Sequence, residues 1–468
     1  MKRTDCGMQR KKGRIMVYKI KKHIPESEAL VERDRKVIAT CQHLSSYPFV
    51  IDRARGEMLT DVDGNEYIDF LSSASSLNLG SANVHINQAI REQLEKCTQY
   101  NGGYSYNEPM ISYAERLVSR YPGGVKAKVC YGNCGSDCND AAVKFARAYT
   151  GRTKIITFIN GYHGNTYCAS TMTTCTPRMH VKMGPFMPEI YHFPFFGTDV
   201  SDEIAEREGT RAIEEAFQLY MPADEVAAVI IEPIQGDAGI LPAHPIFMRK
   251  LYDLCQKNGI LFISEEVQQG FWRTGKFFGI EHYQGIIPDG IIMGKSIGGS
   301  LTLGAFMARE EIMNSLPAPA HVFTLSGNAL ACAAGRAAFD YYETDEFQNI
   351  LKSNSGQIVD EMKELKRKHP ETVDSFRGLG MSQGILIVKK DSEGCKVPDV
   401  DGVFKIIFRA YEKGLILITL GLNVLRIQPP LNIRPEKLHE GFVILDEAIT
   451  DLEEGNIPDE VLSYRHGW

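Results

Sequence analysis

The sequence predicts an α/β protein. One large domain holds a mostly parallel sheet flanked by helices, and a smaller α+β domain is built from both ends of the chain. Three observations predict it. From about residue 125 to 310, short apolar runs alternate with helical stretches, the pattern of a sheet covered on both faces. Near residue 345 the pattern shifts to long helical stretches and then to mixed strands and helices. At 57–70, EMLTDVDGNEYIDF places two alternating segments around Asp63-Gly64, a hairpin signature.

Taken in order, residues 86–97 and 111–120 read as helices. The large domain takes the strands KVCYG (128–132), KIITFI (154–159), AAVIIEP (227–233), ILFISEE (260–266) and DGIIMG (289–294). Helices over 328–345 and 346–368 lead out of it. GILIVK (384–389) and NVLRIQ (423–428) are strands of the smaller domain. The boundaries that follow are 1–75 for an N-terminal segment and hairpin joining the small domain, 76–345 for the large domain, and 346–468 for the C-terminal small domain.

At 468 residues the chain is long enough for two domains. Its 43% hydrophobic and 24% charged residues are ordinary for a globular protein. A net charge of −7 gives no electrostatic case for nucleic acid. No apolar run reaches the ~18 residues of a membrane helix, so no membrane partner is expected. Eleven cysteines are odd in number and scattered, which argues against a disulfide framework or a metal site. The basic N-terminus lacks a continuous apolar stretch and does not read as a signal peptide; Met16 is an alternative start. Free thiols and this terminus point to the cytoplasm.

Five segments carry candidate chemistry. In GNCGSDCNDAAVKFARAYTGR (132–152) a strand ends, Gly135 and Ser136 follow, and a helix begins. Free N–H groups at such a terminus hold phosphate, though an ordinary helix cap reads the same way. In NGYHGNT (160–166), Tyr162 and His163 follow a strand, where an α/β sheet places its ligands; a surface turn is the plainer reading. Glu232 and Glu265 end buried strands. Either serves a ligand nitrogen or pairs with a buried cation. Glu265 and Glu266 cannot both face one ligand, because successive strand residues alternate. Lys295, in MGKSIGG, follows the apolar run 290–293. Alone it reads as a solvated turn lysine. With a phosphate cradle, an aromatic and an acid in this order, it reads as a Schiff-base lysine and a general base.

Over roughly residues 45–450 the chain resembles the class III, or ω-, aminotransferases of pyridoxal-phosphate fold type I. CGSDCNDAAVKFARAYTGR, NGYHG, IIEPIQGD, the acidic pair with VQQG, GKSIGG, FTLSGN and LRIQPPL carry the resemblance. It implies pyridoxal 5′-phosphate as cofactor and an enzyme acting on the amino group and Cα of free amino acids. It implies Lys295 as the cofactor lysine and Gly135, Ser136 and Asp137 as the phosphate cup. Tyr162 would stack on the ring, with His163 and Glu232 as further cofactor-side residues. Glu265 stands where the family has a pyridinium-pairing aspartate, and Gln268 lies near the ring hydroxyl. Thr324 would be donated across a subunit boundary, making a homodimer or a dimer of dimers. Arg426 would clamp the substrate carboxylate.

Two departures stand out. Glu265-Glu266 replaces Asp-Glu, lengthening the acid by one methylene. Asn165 stands where members using 2-oxoglutarate often carry Arg, and a neutral amide gives no charge-assisted grip. Within the family, SASSLNLG, LPADEVAAVIIEPIQGD, PAHVFTLSGN, GLILITLGLNVLRIQPPL and the terminal Gly-Trp resemble members that epimerise branched-chain amino acids. That implies an amino-acid 2-epimerase or racemase of apolar substrates. An aminotransferase passing the amino group to pyruvate or 2-oxoglutarate is the alternative. A regulatory pyridoxal-phosphate-binding protein is the third reading, and no helix-turn-helix module supports it. An epimerase needs a second proton donor, and the sequence singles out none.

Overall fold

The computed structural model describes residues 18–44 and 46–465. The basic segment through residue 17, with the alternative start Met16, lies outside the described residues, as does the closing Gly467-Trp468.

The strand order of the main sheet fixes the site. Seven strands lie side by side: Ala127–Gly132, Gly304–Arg309, Gly290–Met293, Leu261–Glu265, Val226–Ile231, Lys154–Phe158 and Ile190–Phe193. Gly304–Arg309 runs antiparallel to both neighbours, and the remaining pairs are parallel. The sequence reading found five of these strands. It missed Ile190–Phe193 and the reversed Gly304–Arg309, because strand direction is not a property of one apolar run. The central strands are buried along their whole length, as helices on both faces require.

Register then aligns the chemistry. Ser264 pairs with Ile231 and Glu265 with Ile292. Glu232, Glu265 and Lys295 therefore leave three adjacent parallel strands at the same, carboxyl edge, where open α/β sheets bind ligands.

The ends of the chain meet. The hairpin strands Met58–Asp61 and Glu66–Asp69 pair antiparallel, and Leu415–Ile416 adds to Glu66–Asp69 in parallel. A third sheet holds Val373–Leu379, Ser382–Lys390, Val424–Ile427 and Ile418–Leu420. The helix Asp345–Lys368 is capped by the Thr344 hydroxyl. Acids fill its first turn and Lys366, Arg367 and Lys368 its last, matching the helix dipole. No helix among the described residues is long and apolar enough to cross a membrane.

Arg273 knits these parts together. It is 0% exposed and donates to the carbonyls of Met381 (3.2 Å) and Pro429 (2.6 Å) and to Asn78 Oδ1 (2.7 Å). Burial, with Arg426 as a lesser cause, pushes its pKa down to about 9. Replacing Arg273 with Met strands three buried acceptors. Arg273→Met is expected to lower stability by about 3–5 kcal/mol, read as a fall in thermal midpoint.

Candidate active site

A cavity of about 450 Å³ opens at the carboxyl edge of the main sheet. The helix Gly135–Thr150 aims its amino end at it. The first-turn N–H groups of a helix have no intrahelical partner, and Gly135 and Ser136 line the cavity with theirs. Two glycines permit this approach. A Cβ at Gly294 would sit 3.0 Å from the Gly135 nitrogen, and one at Gly135 would sit 2.7 Å from Val267 Cγ1. Helix terminus and lysine turn therefore pack backbone to backbone.

The loop 160–166 closes over that terminus. Gly164 has φ +133°, and a Cβ there would lie 2.1 Å from Ser136 Oγ. The Asn165 N–H donates to Ser136 Oγ (3.1 Å), and buried Asn139 donates to the carbonyls of Gly135 and His163. Tyr162 is half-buried on the cavity wall. Its hydroxyl accepts from Asn165 Nδ2 (2.9 Å), and burial pushes its pKa up to about 12.

Lys295 has φ +47°, a left-handed conformation that non-glycine residues rarely adopt. Burial holds its pKa below the usual lysine range, while Glu265 and Asp237 pull the other way. Glu232 Oε1 accepts from the Tyr162 N–H (3.0 Å) and Oε2 from the Gly236 N–H (3.2 Å). Burial nonetheless pushes its pKa up to about 8. Glu265 accepts from the Val267 N–H (3.1 Å), and burial holds it well above the usual carboxylate range. Glu266 points the other way, as strand alternation requires. It accepts from the Gly279 and Ile280 N–H groups (2.7 and 2.8 Å) and the Ser264 hydroxyl.

Asp237 is a site residue the sequence reading passed over. It sits inside the quoted motif IIEPIQGD, but two residues beyond the short strand Ile234–Gln235 no local signal aims it inward. Its carboxyl lines the cavity and accepts no hydrogen bond from the described residues. Burial raises its pKa against the pull of Lys295 and Arg426. Arg377 fixes its loop from the third sheet, donating to the carbonyls of Gly239 (2.8 Å) and Ala238 (2.7 Å).

Arg426 is buried and reaches the cavity from that same sheet. It donates to Gln428 Oε1 and to Ser75 Oγ (3.1 Å). Ser75 donates in turn to Gln428 Oε1 (2.6 Å), and Gln428 Nε2 to Ser382 Oγ (2.6 Å) and Gln268 Oε1 (3.5 Å). No carboxylate forms an ion pair with Arg426 among the described residues. Burial pushes its pKa down to about 10.

Nine of the eleven residues singled out in the sequence line this cavity: Gly135, Ser136, Tyr162, His163, Glu232, Glu265, Gln268, Lys295 and Arg426. Two do not. Asp137 turns its carboxylate onto the N–H groups of Asn133 (2.7 Å) and Cys134 (2.9 Å), so it caps and shapes the helix terminus. Thr324 lies exposed, outside its own chain's cavity, with its carbonyl accepting from Gln99. His163 keeps its imidazole in the core. Nε2 lies 3.0 Å from Thr157 Oγ1, and burial pushes its pKa down to about 3, leaving it neutral.

The donor set fits pyridoxal 5′-phosphate: a helix terminus and hydroxyl for an anion, an aromatic wall, an amine for an aldehyde, and a buried acid for a ring nitrogen. Relatives carry the same fold and cofactor class. Residues 40–449 match the model of the Aminotransferase class-III family. The isoleucine 2-epimerase of Lentilactobacillus buchneri is 36% identical, covering 95% of this chain and 99% of that one. The leucine/methionine racemase of Thermococcus litoralis is 36% identical over 94% and 99%. A crystal structure of a transaminase from the marine bacterium Virgibacillus superposes with a TM-score of 0.82 at 26% identity, covering 92% and 100%.

Two predictions follow from this geometry. Gly164→Ala forces a methyl onto Ser136 and should weaken pyridoxal-phosphate binding at least about tenfold, measured by absorbance titration of the apoenzyme. Burial raises Glu266 to about 7, so the folded state binds its proton more tightly than the unfolded chain. That contribution is complete below the unfolded carboxylate value and is lost as pH rises through about 7. Glu266→Gln should flatten the fall in thermal midpoint between about pH 5 and 8.

Proposed function

Because the chain belongs to the class III aminotransferase family, whose members use pyridoxal 5′-phosphate, we propose that it is an amino-acid 2-epimerase, or racemase, of apolar and branched-chain amino acids. Asp237 carries this reading. An enzyme that removes the Cα proton from one face and returns it to the other needs two proton-transfer groups. The cavity supplies two that are not held by backbone: the Lys295 amine and the Asp237 carboxyl.

Bound to the Lys295 amino group, the cofactor supplies an electron-withdrawing ring that acidifies the substrate's Cα–H. The chain's own residues do the rest. Gly135 and Ser136 hold the phosphate, and Asp137 keeps their N–H groups aimed at it. Tyr162 stacks on the ring, and Glu232 fixes the Tyr162 backbone. Glu265 would keep a proton on the ring nitrogen, and Gln268 would serve the ring hydroxyl. Arg426 takes the substrate carboxylate. Lys295, its pKa lowered by burial, would take the Cα proton on one face. Asp237, raised by burial and held by no backbone N–H, is the group that would return a proton on the other face. Thr324 serves the neighbouring subunit's phosphate, so the working unit is a homodimer.

The second reading is an aminotransferase, favoured by the likeness to the Virgibacillus transaminase. It uses the same Lys295, Glu265 and Arg426 but has no need of Asp237.

Chiral chromatography of L-isoleucine or L-leucine with loaded enzyme and no oxo acid separates the two. Catalytic formation of the product inverted at Cα supports the epimerase. Loss of amino acid only on adding pyruvate or 2-oxoglutarate supports the aminotransferase. Asp237→Asn should lower epimerisation by about 10²-fold or more. Glu265→Asp should keep activity and Glu265→Ala should nearly abolish it; an active alanine variant would remove Glu265 from the mechanism.

A further inference from the structure

Ile418 and Arg426 are direct cross-strand partners in the third sheet. Opposed residues of an antiparallel pair leave the sheet on the same face, with Cβ atoms about 4.5–5.5 Å apart. Both line the cavity. On its other side Arg426 opposes Gly384, which offers no side chain. Leu44 and Ala74 add further apolar surface to the same cavity.

The charges around this pair are unequal. Among the described residues, Lys295 and Arg426 are the cations lining the cavity, against the carboxyls of Glu232, Asp237 and Glu265. Arg426 hydrogen-bonds to the neutral groups of Gln428 and Ser75 and forms no ion pair among the described residues, with Asp237 and Asp69 acting on it only at longer range. A first carboxylate is matched there. A second one on the same ligand meets Ile418 and buried acids.

We propose that the Ile418–Arg426 pair reads the substrate side chain: Arg426 takes the α-carboxylate, and Ile418, with Leu44 and Ala74, packs an aliphatic chain beside it. The ligand class is then a monocarboxylate with an apolar chain, and dicarboxylates are rejected. This rests on the assignment of Arg426 as the carboxylate site, but not on which reaction the enzyme performs.

The test therefore uses ligands that cannot react. Calorimetric titration of the loaded enzyme with 4-methylpentanoate and with pentanedioate, neither of which has an amino or oxo group, reads the site directly. The native enzyme is expected to bind 4-methylpentanoate at least about tenfold more tightly than pentanedioate. Ile418→Ala should weaken 4-methylpentanoate about tenfold, and Ile418→Lys should reverse the preference. Arg426→Met should abolish both. If Arg426→Met abolishes binding while both Ile418 variants keep the native ratio, the carboxylate site stands and the side-chain reader is refuted. If Arg426→Met binds both ligands as the native enzyme does, the Arg426 assignment fails and this inference falls with it.

Discussion

The site rests on one electrostatic constraint: three carboxyl groups and two cations share one cavity. Each such charge is costly to bury unless it is paired or hydrogen-bonded. The structure meets that cost unevenly. Glu232 spends both oxygens on backbone N–H groups, and Glu265 spends one. Asp237 accepts nothing from the described residues, and Arg426 has only neutral partners. Backbone-held acids have fixed positions and suit the standing job of facing a cofactor. The unheld groups are those whose energy changes most when a substrate arrives. Raised carboxyls and a lowered lysine also bring the proton affinities of Asp237 and Lys295 toward each other, which proton exchange near neutral pH requires.

Backbone geometry makes this crowding possible. Gly135, Gly164 and Gly294 bring a helix terminus, a loop and the lysine turn together at distances no Cβ would tolerate. Elsewhere the chain accepts strain. Ser72, Ser73, Ala74 and Ser75 all have φ between +47° and +64°, at about 1–2 kcal/mol per residue for non-glycine chains. Such a turn persists only where its surroundings over-determine it. Here the Ser75 hydroxyl locks onto Gln428 and Arg426, and the Leu71 and Ser72 N–H groups both donate to Asp69.

How much of this was legible in the sequence depends on what each residue's position is set by. Glu232, Glu265 and Lys295 end apolar strands, and strand ends of a parallel sheet converge, so periodicity alone brought them together. The opposition of Glu265 and Glu266 followed from the two-residue repeat. Asp237, Leu44 and Ile418 reach the cavity from loops and from another sheet, and Ser75 and Gln428 stand behind Arg426, through contacts such as Arg377 on Ala238 and Gly239. Those depend on sheet packing, which no local pattern encodes. The role given to Asp137 shows the opposite limit. The motif was read correctly as a helix start, but only the structure shows its carboxylate spent on Asn133 and Cys134.

Two buried arginines show why partner type, more than burial, separates scaffold from site. Arg273 and Arg426 are both almost fully buried, and both are lowered by burial. Arg273 is held by two backbone carbonyls and an asparagine oxygen, groups locked in place by the fold. Those acceptors lie in fixed directions and take the terminal nitrogens of the guanidinium, while its buried Nε has no partner among the described residues. Arg426 lines the cavity and is held from behind by the side chains of Gln428 and Ser75, and its neighbour across the strand is apolar Ile418. An anion in the cavity would give it the charged partner that its hydrogen bonds do not. The same asymmetry bears on the choice of reaction. A 2-oxo dicarboxylate acceptor brings two carboxylates to a cavity lined, among the described residues, by one guanidinium and one lysine that the cofactor engages. A monocarboxylate amino acid satisfies the guanidinium and leaves the acids free to exchange protons. Charge balance therefore supports the proposed return of the proton to Cα over transfer of the amino group to a dicarboxylate acceptor.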